Sequence, residues 1–235
     1  MRRRRPLHPL RRARSRPREK DSLARLGSLC AATGLDPPEQ ALAPLLAYLE
    51  RMLLENRRLN LTGIRDPEQA LVLHVVDSLQ VWRAAPTPRR VLDLGSGNGF
   101  PGVAAACLWP EAKVVLVERT RKKADALDRC LNDSALARVE VLPLDAAQIP
   151  ALRPGLRADL VLARAVGALS ALIPVAAPLM RNQALLVNWH AAETDAGEGR
   201  ATQRAARRHG LVRREDLLYV LPGPRARRLV SLFRP

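Results

Sequence analysis

Between Val91 and Gly102 the chain reads Val-Leu-Asp-Leu-Gly-Ser-Gly-Asn-Gly-Phe-Pro-Gly, an acid and a ladder of glycines set directly behind a hydrophobic run. Val91, Leu92 and Leu94 suit a strand buried on both faces. Gly95, Gly97 and Gly99 let the backbone reverse and approach a ligand with no side chain in the way. Pro101 fits the first turn of a following helix. Strand, glycine turn and helix start, in this order, make a cofactor site of the nucleotide type.

Two registers of these glycines point to different ligands. Gly97-x-Gly99-x-x-Gly102 satisfies the dinucleotide fingerprint, in which the turn cradles a pyrophosphate. Asp93-x-Gly95-x-Gly97-x-Gly99 fits the S-adenosylmethionine pattern, in which an acid closes the first strand and the glycines pass beneath the methionine portion. A P-loop is excluded, because no Gly-Lys-Ser or Gly-Lys-Thr follows. The next hydrophobic run, Lys113 to Glu118, ends in an acid about twenty residues past the glycines, where such folds grip ribose hydroxyls. Glu118 is the ribose candidate.

The elements that must hold these residues follow from periodicity. From Asp21 to about Arg83 the pattern is helical, with Leu23, Leu26 and Cys30, then Leu42, Leu45, Leu46, Leu49, Leu53 and Leu54, recurring every three to four residues. Asp66-Pro67 predicts a capped helix start leading to Leu71, Val75, Leu79 and Trp82. Ala84 to Pro88 is a short linker. From Val91 onward strands and helices alternate, which predicts a parallel sheet covered on both faces. Strands are expected at Arg90 to Leu94, Lys113 to Glu118, Val139 to Leu142, Asp159 to Ala163, Ala184 to Trp189, Arg213 to Leu221 and Arg228 to Phe233. Helices are expected near Pro101 to Leu108, Lys122 to Asn132, Leu169 to Met180 and Ala201 to Gly210. Gly223 marks an antiparallel hairpin between the last two strands. The chain thus divides into a basic tail (1–20), a helical cap (21–88) and an α/β domain (89–235).

Composition bounds the partners. The formal net charge is +16, and the first twenty residues hold ten Lys or Arg against Glu19 alone, leaving about +7 for the rest. An acidic partner is implied, nucleic acid being the commonest, with charge setting affinity rather than selectivity. The Arg- and Pro-rich tail cannot form a packed element and is expected to be disordered. Aromatic residues make up 3% of the chain, so base stacking is not widespread. The longest uncharged run, Ala165 to Met180, is too short to span a bilayer and contains Pro174 and Pro178. Cys30, Cys107 and Cys130 show no paired spacing, which favours a reducing cytoplasm and packing roles. The four histidines lack metal-ligand spacing, and no metal is expected.

Five separate stretches carry a closer likeness: Asn60-Leu-Thr-Gly-Ile-Arg-Asp66, His74-Val-Val-Asp-Ser-Leu79, Asp93 to Gly102, Glu118-Arg-Thr-Arg-Lys-Lys123 and Ala163-Arg-Ala-Val166. Together they resemble the RsmG (GidB) family of bacterial 16S ribosomal RNA guanine-N7 methyltransferases, over roughly Leu42 to Phe233. The resemblance implies a Rossmann-like class I S-adenosylmethionine-dependent methyltransferase sheet. It implies methyl transfer to N7 of one guanine in 16S ribosomal RNA, as naked RNA or within the small ribosomal subunit. Gly95, Gly97 and Phe100 fall in its cofactor loop and Glu118, Arg119 and Thr120 in its second-strand segment. Ala146 and Ala147 match a backbone contact near the adenine, and Arg164 matches the arginine after the fourth strand.

Guanine N7 has a free lone pair and no proton to lose, so the implied chemistry needs positioning and not a general base. No catalytic acid or base is assigned. His74 and Asp77, one helical turn apart, either face the cofactor mouth or make a local helix contact. Asp145 and Trp189 stand where the family commonly has basic residues. Asp145 is placed to approach the adenine amino group, and Trp189 either stacks on a purine or packs. Arg227 and Arg228 match a basic pair in the last strand and are the RNA candidates. Three other readings stay open: a methyltransferase of another substrate, a non-catalytic RNA-binding or ribosome-assembly protein, and a nicotinamide-dependent oxidoreductase.

Overall fold

The computed structural model describes residues 19–85, 87–132, 136, 138–191, 196–223 and 227–235. Most of the basic tail therefore lies outside the described residues, and its last two, Glu19 and Lys20, already belong to helix α1 (Glu19–Ala32). Helix α2 (Leu42–Asn56) follows, entered through a 3-10 turn at Glu39–Ala41. Helix α3 (Pro67–Ala70) starts where the sequence predicts: Asp66 is extended, and its carboxylate accepts the Gln69 N–H at 2.8 Å. The chain then widens into a π-helical turn, Leu71–Val76, before α4 (Asp77–Leu79) and α5 (Val81–Ala84).

The seven strands are β1 (Arg90–Leu94), β2 (Lys113–Val117), β3 (Val139–Leu142), β4 (Ala158–Arg164), β5 (Met180–Ala191), β6 (Val212–Val220) and β7 (Arg227–Arg234). They form one sheet in the order β3-β2-β1-β4-β5-β7-β6. The strands from β3 to β5 pair in parallel, and β7 inserts antiparallel between β5 and β6. The hairpin expected around Gly223 is present, but its second strand lies inside the sheet and its first strand is the edge. Helices α6 (Gly102–Leu108), α7 (Arg121–Asn132), α8 (Ile149–Leu152), α9 (Leu169–Ala176) and α10 (Ala196–Arg208) connect the strands. Several bounds shift, among them the helix expected near Ala201 to Gly210, which runs Ala196–Arg208, and the strand expected at Ala184 to Trp189, which runs Met180–Ala191. The second strand stops at Val117, leaving Glu118 just beyond it, and the helix expected to reach Met180 ends at Ala176, with Met180 opening β5. Pro174 and Pro178 cannot supply the N–H groups that a longer helix needs.

Strand alternation sorts the core into two layers. Val91 and Leu116 face the layer built from Leu26, Leu45, Tyr48, Val75, Val103 and Leu127. Leu92, Leu94, Val115 and Val117 face the opposite layer, with Ile149, Leu172, Ile173 and Ala206. The cap helices thus share one apolar layer with α6 and α7 instead of forming a separate core. Cys30, Cys107 and Cys130 are buried in that same layer. Among the described residues, no helix is long and apolar enough to cross a membrane.

Candidate cofactor and acceptor site

A cavity of about 950 Å³ runs along the C-terminal ends of the parallel strands, the edge at which open α/β sheets bind ligands. At its centre the glycine turn folds back on β2. The N–H groups of Gly95 and Ser96 both donate to the Val117 carbonyl, at 2.9 and 3.0 Å. The turn's glycines serve different purposes. A β-carbon at Gly95 (φ +70°) would sit 3.0 Å from Val166, while one at Gly97 would meet nothing closer than 3.8 Å, so the cavity floor is open at Gly97 and covered by Val166 at Gly95. Gly99 (φ +89°) faces inward, where a β-carbon would fall 2.0 Å from the Tyr48 hydroxyl. At Gly102 it would fall 2.3 Å from Leu116, which is helix-to-sheet packing and not ligand approach. Val166 is carried over Gly95 by a loop with Ala165 and Gly167 at φ of 57° and 89°.

Glu118 is buried at the cavity wall, and its carboxylate clamps two backbone segments. One oxygen accepts the Gly97 N–H at 3.0 Å and the other accepts the Thr120 N–H at 2.8 Å. Each oxygen keeps lone-pair capacity for one more donor. Asp93 lies beneath the turn with one oxygen accepting the Gly102 N–H at 2.9 Å and the other unpaired. Burial pushes the Asp93 carboxyl up to about 7, against the lowering effect of the Gly102 N–H and of Arg164.

At the β3 end, Asp145 caps the 3-10 turn Ala146–Gln148 by accepting the Ala147 N–H at 3.0 Å. Asp145 and Ala146 line the cavity. Ala147 does not, its side chain being exposed. Gly95, Gly97, Phe100, Glu118, Arg119, Thr120 and Arg164 all line the same space, joined by Lys123 of α7.

Arg164 lines the cavity with its guanidinium engaged by protein. Its guanidinium donates to the carbonyls of Leu73 (3.0 Å) and Phe100 (3.3 Å), to Ser78 Oγ (3.2 Å) and to Asp77 (3.2 Å), and meets His74 Nδ1 at 3.4 Å. It therefore joins the end of β4 to the cap and to the glycine turn. His74 lies flat against Phe100, with ring centroids 6.0 Å apart, and its Nε2 is 3.1 Å from Thr62 Oγ1. Burial, then the Arg164 charge, lowers the His74 imidazole to about 3, so the ring is neutral. Arg164 has only donors, which makes Nδ1 the acceptor and leaves the proton on Nε2 facing Thr62. Of the two sequence readings of His74 and Asp77, the one that faces them to the cavity fits: both line it, and both meet Arg164.

Trp189 is buried against the cap, its indole N–H donating to the Asp77 carbonyl at 2.9 Å, so packing is its observed role. Arg228 lines the cavity with Nε 3.9 Å from Asp77, whereas Arg227 is exposed at the start of β7. Three contributors went unnoticed in the sequence. Tyr48 of α2 donates its hydroxyl to the Asn98 carbonyl at 3.0 Å, bracing the turn from behind. The Asn56 side chain exchanges hydrogen bonds with both backbone groups of Thr62, at 3.0 and 2.9 Å, and fixes the Leu61–Ile64 wall. Tyr219 of β6 donates to Asp77 at 2.7 Å. Tyr48 and Tyr219 close contacts across 50 and 142 residues, which leaves no local pattern.

The comparisons with known proteins agree with this geometry. A family-wide profile described as rRNA small subunit methyltransferase G (GidB) matches residues 41–214. The chain belongs to the GidB family. A curated relative from Solibacter usitatus, named ribosomal RNA small subunit methyltransferase G, is 33% identical over 170 residues, covering 72% of this chain and 80% of the relative. One of the same name from Sorangium cellulosum is 38% identical over 184 residues, covering 75% and 77%. Among solved structures, the O-methyltransferase TomG from Streptomyces achromogenes, in complex with SAM, superposes with a TM-score of 0.55. It is 20% identical, and the superposition covers 80% of this chain and 88% of that one. The fold is that of class I methyltransferases, as the sequence predicts, and this GidB member is a methyltransferase. The matched span includes Asn60–Asp66, the glycine turn, Glu118 and Ala163–Val166, while Arg227 and Arg228 lie beyond it.

Proposed function

We propose that this chain transfers a methyl group from S-adenosylmethionine to N7 of a guanine in 16S ribosomal RNA. The observation that carries the reading is the cavity itself: a GidB glycine turn that lines it with Gly95 and Gly97, is open at Gly97, and ends at a buried acid with spare acceptor capacity. The residues fit the donor. Gly95 and Gly97 leave room for the methionine portion, Glu118 takes ribose hydroxyls, and Ala146 and Asp145 stand at the adenine end with Ala147 behind them. Phe100, Arg119 and Thr120 complete the wall, and Arg164 shapes the site through Phe100 and the cap. When bound, the sulfonium supplies an activated methyl group.

The chain's own residues then supply alignment and dryness, not proton transfer. A transfer to guanine N7 would form the N7–methyl bond as the sulfur–methyl bond breaks, leaving a neutral thioether, so no residue need remove a proton. His74, neutral and hydrogen-bonded on both sides, is no base. Residues 89–235 act as the donor-binding unit and 21–88 as its cap, in a cytoplasmic enzyme without a metal. The basic charge supports an RNA partner, as naked 16S RNA or the small subunit.

Incubation with labelled S-adenosylmethionine and either naked 16S RNA or small ribosomal subunits, followed by mass-spectrometric mapping, tests the reading. We expect 7-methylguanine at one position. Its absence from both substrates sinks the proposal, and RNA binding without any calorimetric heat for S-adenosylmethionine identifies a non-catalytic RNA-binding protein instead.

A further inference from the structure

The sheet order divides the cavity. The ends of β3, β2 and β1 carry Ala146, Glu118 and Gly95, the donor side of the proposed function, and the ends of β4, β5 and β7 carry Arg164, Trp189 and Arg228. The second half is left for the acceptor. One buried residue of the cap meets every strand that builds this half. The Asp77 carboxylate accepts from Tyr219 of β6 at 2.7 Å and from Arg164 of β4 at 3.2 Å, and stands 3.9 Å from Arg228 Nε of β7. Its backbone carbonyl accepts from Trp189 of β5 at 2.9 Å.

We propose that Asp77 is a positioning residue that fixes the acceptor half of the cavity for methyl transfer. The inference rests on the methyltransferase reading above and goes beyond it. Asp77 supplies the carboxylate charge between two guanidiniums, and the buried Tyr219 hydroxyl stays protonated beside it as a donor. Arg164 has further anchors at Leu73, Phe100 and Ser78, so losing Asp77 leaves it in place. Arg228 is different. With its Nε buried and short of any hydrogen bond, it is held toward Asp77 by charge.

The test is Asp77→Asn. The amide has the same shape, still accepts from Arg164 through its oxygen, and donates to a reversed Tyr219 hydroxyl. Only the charge and one acceptor are lost. S-adenosylmethionine affinity by calorimetry is expected to stay within about twofold, while kcat on RNA falls about 100-fold through misplacement of the acceptor. Released from Asp77, Arg228 adds a cation to RNA binding, so KM for RNA does not rise and the log–log salt slope of RNA affinity steepens by about 0.7 to 0.9. A general structural loss would instead weaken donor binding, turnover and RNA affinity together, and that result overturns the inference. So does a kcat within about threefold of wild type, a change too small for misplacement. If Asp77→Asn does not fold, Arg228→Met is read by the same split. Lowered kcat with unchanged donor affinity supports the inference, and weakened donor binding overturns it. A wild-type protein that transfers no methyl group to RNA fails the earlier reading, whereas an active wild type with an equally active Asp77→Asn fails this one alone.

Discussion

Gly99→Ala tests how the cap and the cofactor turn are joined. The added methyl would sit 2.0 Å from the Tyr48 hydroxyl and 2.8 Å from its ring carbon Cζ, at a backbone φ of +89°. Tyr48 cannot retreat easily. Its ring is fully buried, packs edge-on to Phe100 with centroids 5.5 Å apart, and its hydroxyl is tied to the Asn98 carbonyl at 3.0 Å. Three costs follow. The left-handed backbone costs an alanine about 1 kcal/mol. Overpacking costs about 1–3 kcal/mol, and breaking the buried tyrosine hydrogen bond costs about 1–3 kcal/mol. Together these give a loss of about 3–7 kcal/mol, a large share of the roughly 5–15 kcal/mol that holds a typical domain. Urea denaturation measures it, and the Tyr48→Phe background sharpens it. Removing the hydroxyl relieves the 2.0 Å contact but not the 2.8 Å one, so the pair should couple favourably by about 1–2 kcal/mol. A Gly99→Ala cost below about 1 kcal/mol, or additivity in the double variant, refutes the argument that Tyr48 is what requires a glycine there.

Other consequences are as direct. Gly95→Arg fills the cavity floor and presses on Val166, so calorimetry should show no S-adenosylmethionine heat while far-ultraviolet dichroism remains that of a folded chain; retained binding would mean the donor does not pass over Gly95. Asp93, raised to about 7 from 3.8, holds its proton more tightly when folded, so its contribution falls as pH rises from about 4 to about 7. The slope is about 1.4 kcal/mol per unit, reaching about 4 kcal/mol by neutrality and then levelling. Asp93→Asn should therefore gain on wild type in urea midpoint between pH 5 and pH 8, and a constant difference across that range contradicts the shift. Asn56→Ala removes hydrogen bonds to both backbone groups of Thr62, and a loss of about 2–4 kcal/mol is expected, with faster amide exchange at Thr62. Unchanged exchange would show that the Leu61–Ile64 wall is held by something else.

What the sequence made legible was local. The hydrophobic run ahead of Gly95 specified β1 residue for residue, and Asp66-Pro67 specified a helix start, because each signal sits within a few positions of its effect. Glu118 was found for the same reason, since a fixed step from glycines to acid reports a fixed crossover. The π-helical turn at Leu71–Val76 was not legible, because an apolar stripe three to four residues apart is equally served by α-helical winding. Nor was the place of β7 between β5 and β6, which is decided by sheet pairing that no hairpin signal contains. Gly99 and Gly102 looked like ligand glycines, and it takes Tyr48, Leu116 and Asp93 in space to show that protein fills those positions.

The Asp77 network lies furthest from sequence reading, and the reason bears on how the site works. Arg164, Trp189 and Tyr219 reach Asp77 across 87, 112 and 142 residues. Such contacts form only when cap and sheet are already docked. On the proposed donor side Glu118 accepts from Gly97 and Thr120, and the cap braces the glycine turn through the Tyr48 hydroxyl. The proposed acceptor half draws on the cap more heavily. Its Arg164 is held by Leu73, His74, Asp77 and Ser78, and the same arginine holds the Phe100 carbonyl of the glycine turn. For the proposed transfer, which removes no proton, catalytic power rests on holding N7 in line with the methyl group, within tolerances near an ångström. In that reading the sheet holds the methyl donor, and the docked cap aligns the acceptor. Changes in the sheet's Gly95–Glu118 layer should therefore register first in donor affinity, and changes in the cap's His74–Asp77 layer first in turnover.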